Sequence, residues 1–154
     1  MIRLLFRHPW LFRLLMSLYP PFLGAGVRVR SASRDLRDVE VQLRMRIFNR
    51  NAMGTHFGGS LYAMTDPFYV LMFIANLGPG YEVWDRSARI QFQRPGRGVV
   101  SAHFHLDEED LRKAREAVAG GAPYTPVYTV KIRDRQGRSV ATIRKELYIR
   151  RRSD

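Results

Sequence analysis

Between Val39 and Phe48 the chain alternates without a break. Val39, Val41, Leu43, Met45 and Ile47 fall on one side, and Glu40, Gln42, Arg44 and Arg46 on the other. A period of two predicts a strand with one wet face. The pattern changes at Gly58. From there to Asn76 apolar residues occupy nearly every side, and Asp66 is the single charge. A helix with no polar face has to be enclosed. It is shorter than the ~20 apolar residues of a membrane span, and Leu77-Gly78-Pro79-Gly80 ends it. Alternation then returns. Ala88, Ile90 and Phe92 oppose Arg89, Gln91 and Gln93; after a turn at Arg94 to Gly98, Val100, Ala102, Phe104 and Leu106 oppose Ser101, His103 and His105. A polar helix follows from Asp107 to Ala119, capped by Asp107 with Asp110 at its third position and closed by Gly120-Gly121. Val130 and Ile132 open another strand, Asp134 to Gly137 turns it, and Ala141, Ile143, Leu147 and Ile149 carry the last. The order is one strand, a buried helix, then four strands. A strongly curved antiparallel sheet wrapped around the helix accommodates it, an α+β arrangement.

The segment before this pattern, MIRLLFRHPWLFRLLMSLY, is apolar with arginines at 3, 7 and 13. A secretory leader would show an unbroken apolar run and a small-residue cleavage site, and neither is present. Leu4, Leu5, Leu11, Phe12 and Leu15 can share a face, although His8-Pro9 interrupts the first turns. The expectation is an amphipathic helical arm over residues 1–26, lying on the body of the protein. Peripheral docking on a membrane surface is the second reading. Residues 27–150 form the main domain and 151–154 an exposed tail, and the arginines at 150 to 152, across that boundary, are expected to be frayed and exposed.

Composition narrows the chemistry. A chain of 154 residues, 45% apolar, suits one ordinary domain. The absence of cysteine excludes disulfides, thiolate zinc sites and a thiol nucleophile, and is compatible with a reducing cytoplasm. The net charge of +12, from 26 Lys and Arg against 14 Asp and Glu, favours a polyanionic partner. Nucleic acid, anionic lipid and a phosphate-bearing ligand all satisfy that.

The densest stretch runs from Asn49 to Ser60 and leads into the buried helix. Gly58 and Gly59 leave backbone N–H groups uncovered at the positive end of the helix, suited to an oxyanion or a phosphate. Alternatively they permit a tight turn and close packing. Asp66 within an apolar helix needs hydrogen bonds, an interface or a catalytic role. Equally, Asp66-Pro67 reads as an N-cap and first-turn proline restarting the helix after a kink. His103 and His105 share a strand face, but no third ligand accompanies them, so no metal is expected. Gly58-Gly59-Ser60-Leu61-Tyr62 is no nucleophile elbow, because Tyr62 stands where glycine is required.

Asn51-x-x-Gly54-x-x-Phe57-Gly58-Gly59, with Asp66 fifteen positions after Asn51, resembles the small hotdog-fold acyl-CoA thioesterases related to the bacterial phenylacetyl-CoA type. Gly54 to Pro67, Trp84 to Ala88 and Arg94 to Gly98 look like a branch of that superfamily. The resemblance covers residues 20 to 150. It implies a hotdog fold, assembled as a dimer or dimer of dimers, with coenzyme A entering only as part of the substrate and no cofactor. It implies that Gly58 and Gly59 hold the developing oxyanion, that Asp66 of the facing subunit attacks or activates water, and that Asn51 orients water or substrate. His56 and Phe57 would border the substrate. Read from the residues alone, Arg94 and Arg97 in their glycine-rich turn either contact the phosphates of coenzyme A or are simply solvated. Nucleic acid is not among the partners the resemblance implies. The chain departs from the family pattern at one point: Phe57 stands where a histidine precedes the glycine pair. A catalytically silent acyl-CoA or lipid binder is therefore the rival reading.

Overall fold

The computed structural model describes residues 8–152. Two short helices, α1 (Pro9–Leu18) and α2 (Pro20–Ala25), precede β1 (Val27–Ala32) and β2 (Asp38–Arg44). The central helix comes in two pieces, α3 (Gly58–Ala63) and α4 (Phe68–Leu77). Then follow β3 (Tyr81–Phe92), β4 (Val99–His105), α5 (Glu108–Ala117), β5 (Val127–Asp134) and β6 (Ser139–Arg151). The six strands form one antiparallel sheet in the order β1-β2-β4-β5-β6-β3.

The alternating residues define the inner face. Val39, Val41 and Leu43 lie opposite Phe104, Ala102 and Val100 across the β2–β4 ladder, and all six are buried. Ile143, Leu147 and Ile149 continue that face on β6. Against it lie Leu61, Met64, Phe68, Met72 and Phe73 of the central helix. Rings run through this core from Phe22 to Phe68 (5.9 Å), Phe104 (5.0 Å), and then by Tyr69 to Tyr128 (4.6 Å). Phe22 and Phe12 bring the described part of the arm into the same core. Leu4 and Leu5 lie outside the described residues.

Some boundaries differ from the pattern. β1 was not expected; Val27 and Val29 give it only two inward positions. β2 stops at Arg44, so Ile47 points to solvent with Phe48. The cause is buried Asn49. Its Oδ1 accepts from the Arg46 N–H at 2.6 Å, and its Nδ2 donates to the carbonyls of Ala25 and Arg44 at 2.9 Å each. These bonds draw the chain off the sheet. Gly26 makes room for that amide. Its φ is +82°, and a Cβ there would sit 2.3 Å from Asn49 Nδ2. At the other end, Arg151 is not a frayed tail: it pairs with Tyr81, and Arg150 Nε donates to Glu82 Oε2 at 2.5 Å. The expected capping box on α5 is present, with Asp107 accepting from the Asp110 N–H at 2.7 Å and Asp110 from the Asp107 N–H at 3.1 Å.

Candidate active site

The central helix breaks between Ala63 and Phe68, where Asp66-Pro67 stands. Proline has no N–H to continue the helical ladder. The second segment is not capped by Asp66, however. Pro67 holds the N-cap position, and no side chain bonds there. The Asp66 carboxylate is free of that duty and is 49% exposed.

What lies behind it was not anticipated. Lys145, on the inner face of β6 in register with Ile143 and Leu147, is 0% exposed. Its ammonium donates to Asp85 Oδ2 at 2.8 Å, to the backbone carbonyl of Asp66, and to that of Thr65 at 3.4 Å. It lies 3.8 Å from Asp66 Oδ1 and 5.9 Å from the centre of the Tyr62 ring. The lysine therefore satisfies carbonyls that the helix break leaves without partners, where a positive charge also suits the C-terminal end of α3. Asp85 reaches it because β3 is bulged between Asp85 and Ser87; Asp85 stays opposite inward-facing Leu147. Burial raises the Asp85 pKa against the hydrogen bond and charge of Lys145, and nearby Asp66 adds to the rise. Its Oδ1 is buried with no partner among the described residues. The Tyr62 hydroxyl is pushed up to about 12, by burial first and then by the charge and hydrogen bonding of Asp66.

At the other end of α3, Gly58 and Gly59 are its first two residues, whose N–H groups have no acceptor within a helix. Phe57 is the N-cap residue and makes no side-chain cap bond. Two half-exposed rings flank this turn. A Cβ on Gly59 would meet Phe57 Cε1 at 2.4 Å, and one on Gly58 would meet Phe92 Cζ at 3.0 Å. The glycines thus serve both readings: they bare the amides, and they admit the rings.

The 50s loop reassigns several expected contacts. Asn51 spends its side chain on the loop itself. Its Nδ2 donates to Thr55 Oγ1 (2.9 Å) and the His56 carbonyl (3.2 Å), while its Oδ1 accepts from the N–H groups of Met53 and Thr55 (3.0 Å each). His56 is buried, in the wall of the groove that Arg94 also borders. Its Nε2 donates to the Gly98 carbonyl at 3.1 Å; Nδ1 is buried without a partner among the described residues. Burial lowers the His56 pKa, partly opposed by the Gly98 bond. Arg97 Nη1 donates to the Gly54 carbonyl at 3.0 Å. Arg94 borders a groove of about 490 Å³ together with Asn51, Gly58, Leu61 and Phe92. His103 and His105, on another face, both bond to the Asp38 carboxylate, His105 Nδ1 at 2.6 Å. Among the described residues no three His, Cys, Asp or Glu side chains gather as metal ligands.

Of the sequence candidates, Gly58, Gly59, Phe57, Asn51 and Arg94 come together at the helix mouth, and Asp66 stands apart at the break. Lys145 and Asp85 were missed. The signal for Lys145 was a lysine in the apolar register Ala141, Ile143, Lys145, Leu147, Ile149.

A curved six-stranded antiparallel sheet wrapped around a central helix is the architecture of a hotdog-fold protein. Residues 8–149 match the model of a family described as a domain of unknown function (DUF4442), and the chain belongs to that family. No curated protein sequence matches the chain. Solved structures do. A Pseudomonas aeruginosa protein of unknown function, described as a probable thioesterase, superposes with a TM-score of 0.84 at 18% identity, over 95% of this chain and 99% of that one. A thioesterase from Haemophilus influenzae gives 0.68 at 15% identity, over 94% and 91%. The PaaI protein of the E. coli phenylacetic acid degradation operon gives 0.61 at 18% identity, over 94% and 93%. At such identities the shared property is the architecture.

Proposed function

We propose that this protein hydrolyses thioesters of acyl-coenzyme A type. The observation that carries the reading is Asp66: a half-exposed carboxylate at a helix break, not used as a cap, with its backbone held from behind by a fully buried lysine. A group so anchored keeps its geometry while substrate binds, as catalysis requires. Thioesterases among the structural neighbours agree with this reading.

In the proposed reaction the Gly58 and Gly59 amides receive the thioester oxygen as charge develops on it. Donors preorganised in this way typically supply a few kcal/mol. Asp66 attacks the carbonyl carbon or takes a proton from the attacking water. The carbon–sulfur bond breaks, and the thiolate leaves and takes up a proton to become the free thiol of coenzyme A. Where water attacks, the free acid forms directly; where Asp66 attacks, water then cleaves the acyl-aspartyl anhydride to the free acid and restores the carboxylate. Asn51 shapes the loop rather than orienting water. Phe57 and Phe92 border the acyl group, and Arg94, whose side chain makes no ion pair or hydrogen bond among the described residues, meets a phosphate; Arg97 supports the loop. Gly58 opens α3, and Asp66 lies beyond the other end of that helix, at the break. That placement at opposite ends of α3 supports a site shared between two copies, one giving the amides and the other the carboxylate. β3 supports the same reading, since among the described residues its second edge is unpaired over 12 residues.

The test is release of free thiol from a panel of short, medium, long and aromatic acyl-CoAs. Wild-type turnover that falls at least ~100-fold in Asp66→Asn, with assembly size unchanged, is the expected result. Saturable acyl-CoA binding without turnover of any substrate would replace the hydrolase by the silent binder. Full activity in Asp66→Asn would remove the carboxylate from the mechanism.

A further inference from the structure

The outer side of α1 is apolar where a surface helix should be polar. Its inner side is already used: Phe12 is buried and Met16 packs against the core. Yet Trp10 is 62% exposed, Leu14 48% and Leu18 52%, and Leu15 is exposed beside them. At helical spacing Trp10, Leu14 and Leu18 form one stripe, and Leu23 of α2 is likewise exposed. A helix apolar nearly all round is stable on a surface only if something covers it.

The surroundings indicate what does. Between α1 and the sheet lies a groove of about 670 Å³, bordered by that stripe and by Arg13, Arg28, Arg30 and Arg44. Among the described residues none of these arginines makes an ion pair, and no carboxylate borders the groove. A second copy docked here about a two-fold axis would set arginines against arginines, which disfavours that occupant. A nucleic acid would match the charge and leave the leucines and tryptophan uncovered. A bilayer with acidic headgroups satisfies both, taking the stripe into its apolar boundary and the guanidinium groups at its charged surface. The chain's +12 charge acts in the same direction.

We propose that α1 and the adjoining arginines of β1 and β2 form a docking surface for an anionic lipid bilayer. The inference is independent of the hydrolase reading. The full chain, carrying Trp84→Phe so that Trp10 is the sole tryptophan, is mixed with vesicles of phosphatidylcholine alone or equimolar with phosphatidylserine. Cosedimentation with the anionic vesicles, a blue shift of Trp10 emission and steep weakening by salt are expected. Leu14→Ser with Leu18→Ser, and separately Arg28→Glu with Arg30→Glu, should each weaken binding at least about tenfold. Far-UV circular dichroism and thermal melting verify that both variants fold. The proposal is overturned by absence of binding, by equal binding to both vesicles, or by undiminished binding of the variants. It also fails if the serine variant instead dissociates an oligomer, because the stripe then covers another copy.

Discussion

Lys145→Met is the sharpest perturbation of this structure. Methionine fills similar space but removes an ammonium that is 0% exposed and bonded to Asp85 Oδ2, with Asp66 Oδ1 3.8 Å away. The exposed Asp66 pair contributes little, since solvent screens it. The Asp85 pair decides the outcome. Its Oδ1 already lacks a partner among the described residues, and Oδ2 would lose the lysine. Removing one member of a buried pair costs about 3–5 kcal/mol. Asp85 keeps 24% side-chain exposure, which places the expectation near the lower end, about 3 kcal/mol. The cost also depends on pH. Burial already raises the Asp85 pKa, and removing Lys145 takes away what holds it down. A carboxyl with a raised folded pKa contributes stability that is present below the unfolded value of 3.8 and lost as pH rises through the folded value. The penalty should therefore be smaller near about pH 4 than near about pH 8. Urea denaturation of wild type, Lys145→Met, Asp85→Leu and the double variant measures this, with the midpoint read at constant slope. The double variant should recover most of the loss, leaving a coupling of at least ~2 kcal/mol. A single-variant cost below ~1 kcal/mol near pH 8, or strict additivity, would refute a buried ion pair.

Two further outcomes follow from local geometry. Alanine at Gly26 should cost more than about 2 kcal/mol, combining the left-handed backbone penalty with displacement of Asn49 from two carbonyls, whereas alanine at Gly59 should change stability by less than about 1 kcal/mol because the exposed Phe57 ring can swing aside; equal urea midpoints for the two variants would contradict the packing. Because burial lowers the His56 pKa, its folded form resists a proton that the unfolded chain accepts below 6.5, so stability is present above 6.5 and lost as pH falls toward the folded value, with a slope of at most about 1.4 kcal/mol per pH unit. His56→Gln should flatten that part of the stability profile, and an unchanged slope would mean that His56 is protonated in the folded protein.

The elements legible in the chain were those whose signals are local. The Asp107 cap was readable because its partner lies three residues on, and the central helix because its apolar run has no polar side. The break at Asp66-Pro67 was also legible, but the assignment of the cap to Asp66 was not, since Pro67 takes that position. β1 carried too few alternations, and the end of β2 depended on Asn49 reaching back to Ala25, 24 positions earlier. The glycine pair and Asp66 stood out as an unusual backbone and an unusual charge, whereas the resemblance assigned His56 and Asn51 to the substrate and its water without showing that their side chains bond to Gly98 and to the loop itself.

By itself the sequence determined which faces are apolar, and therefore that a helix had to be wrapped by a sheet. Only the tertiary structure decided that Lys145 lies beneath Asp66, because its partner Asp85 is 60 positions away and reaches it through a strand bulge. Periodicity reports the side of an element on which a residue falls. What that residue meets there depends on how distant elements register, and electrostatics acts on that distance alone.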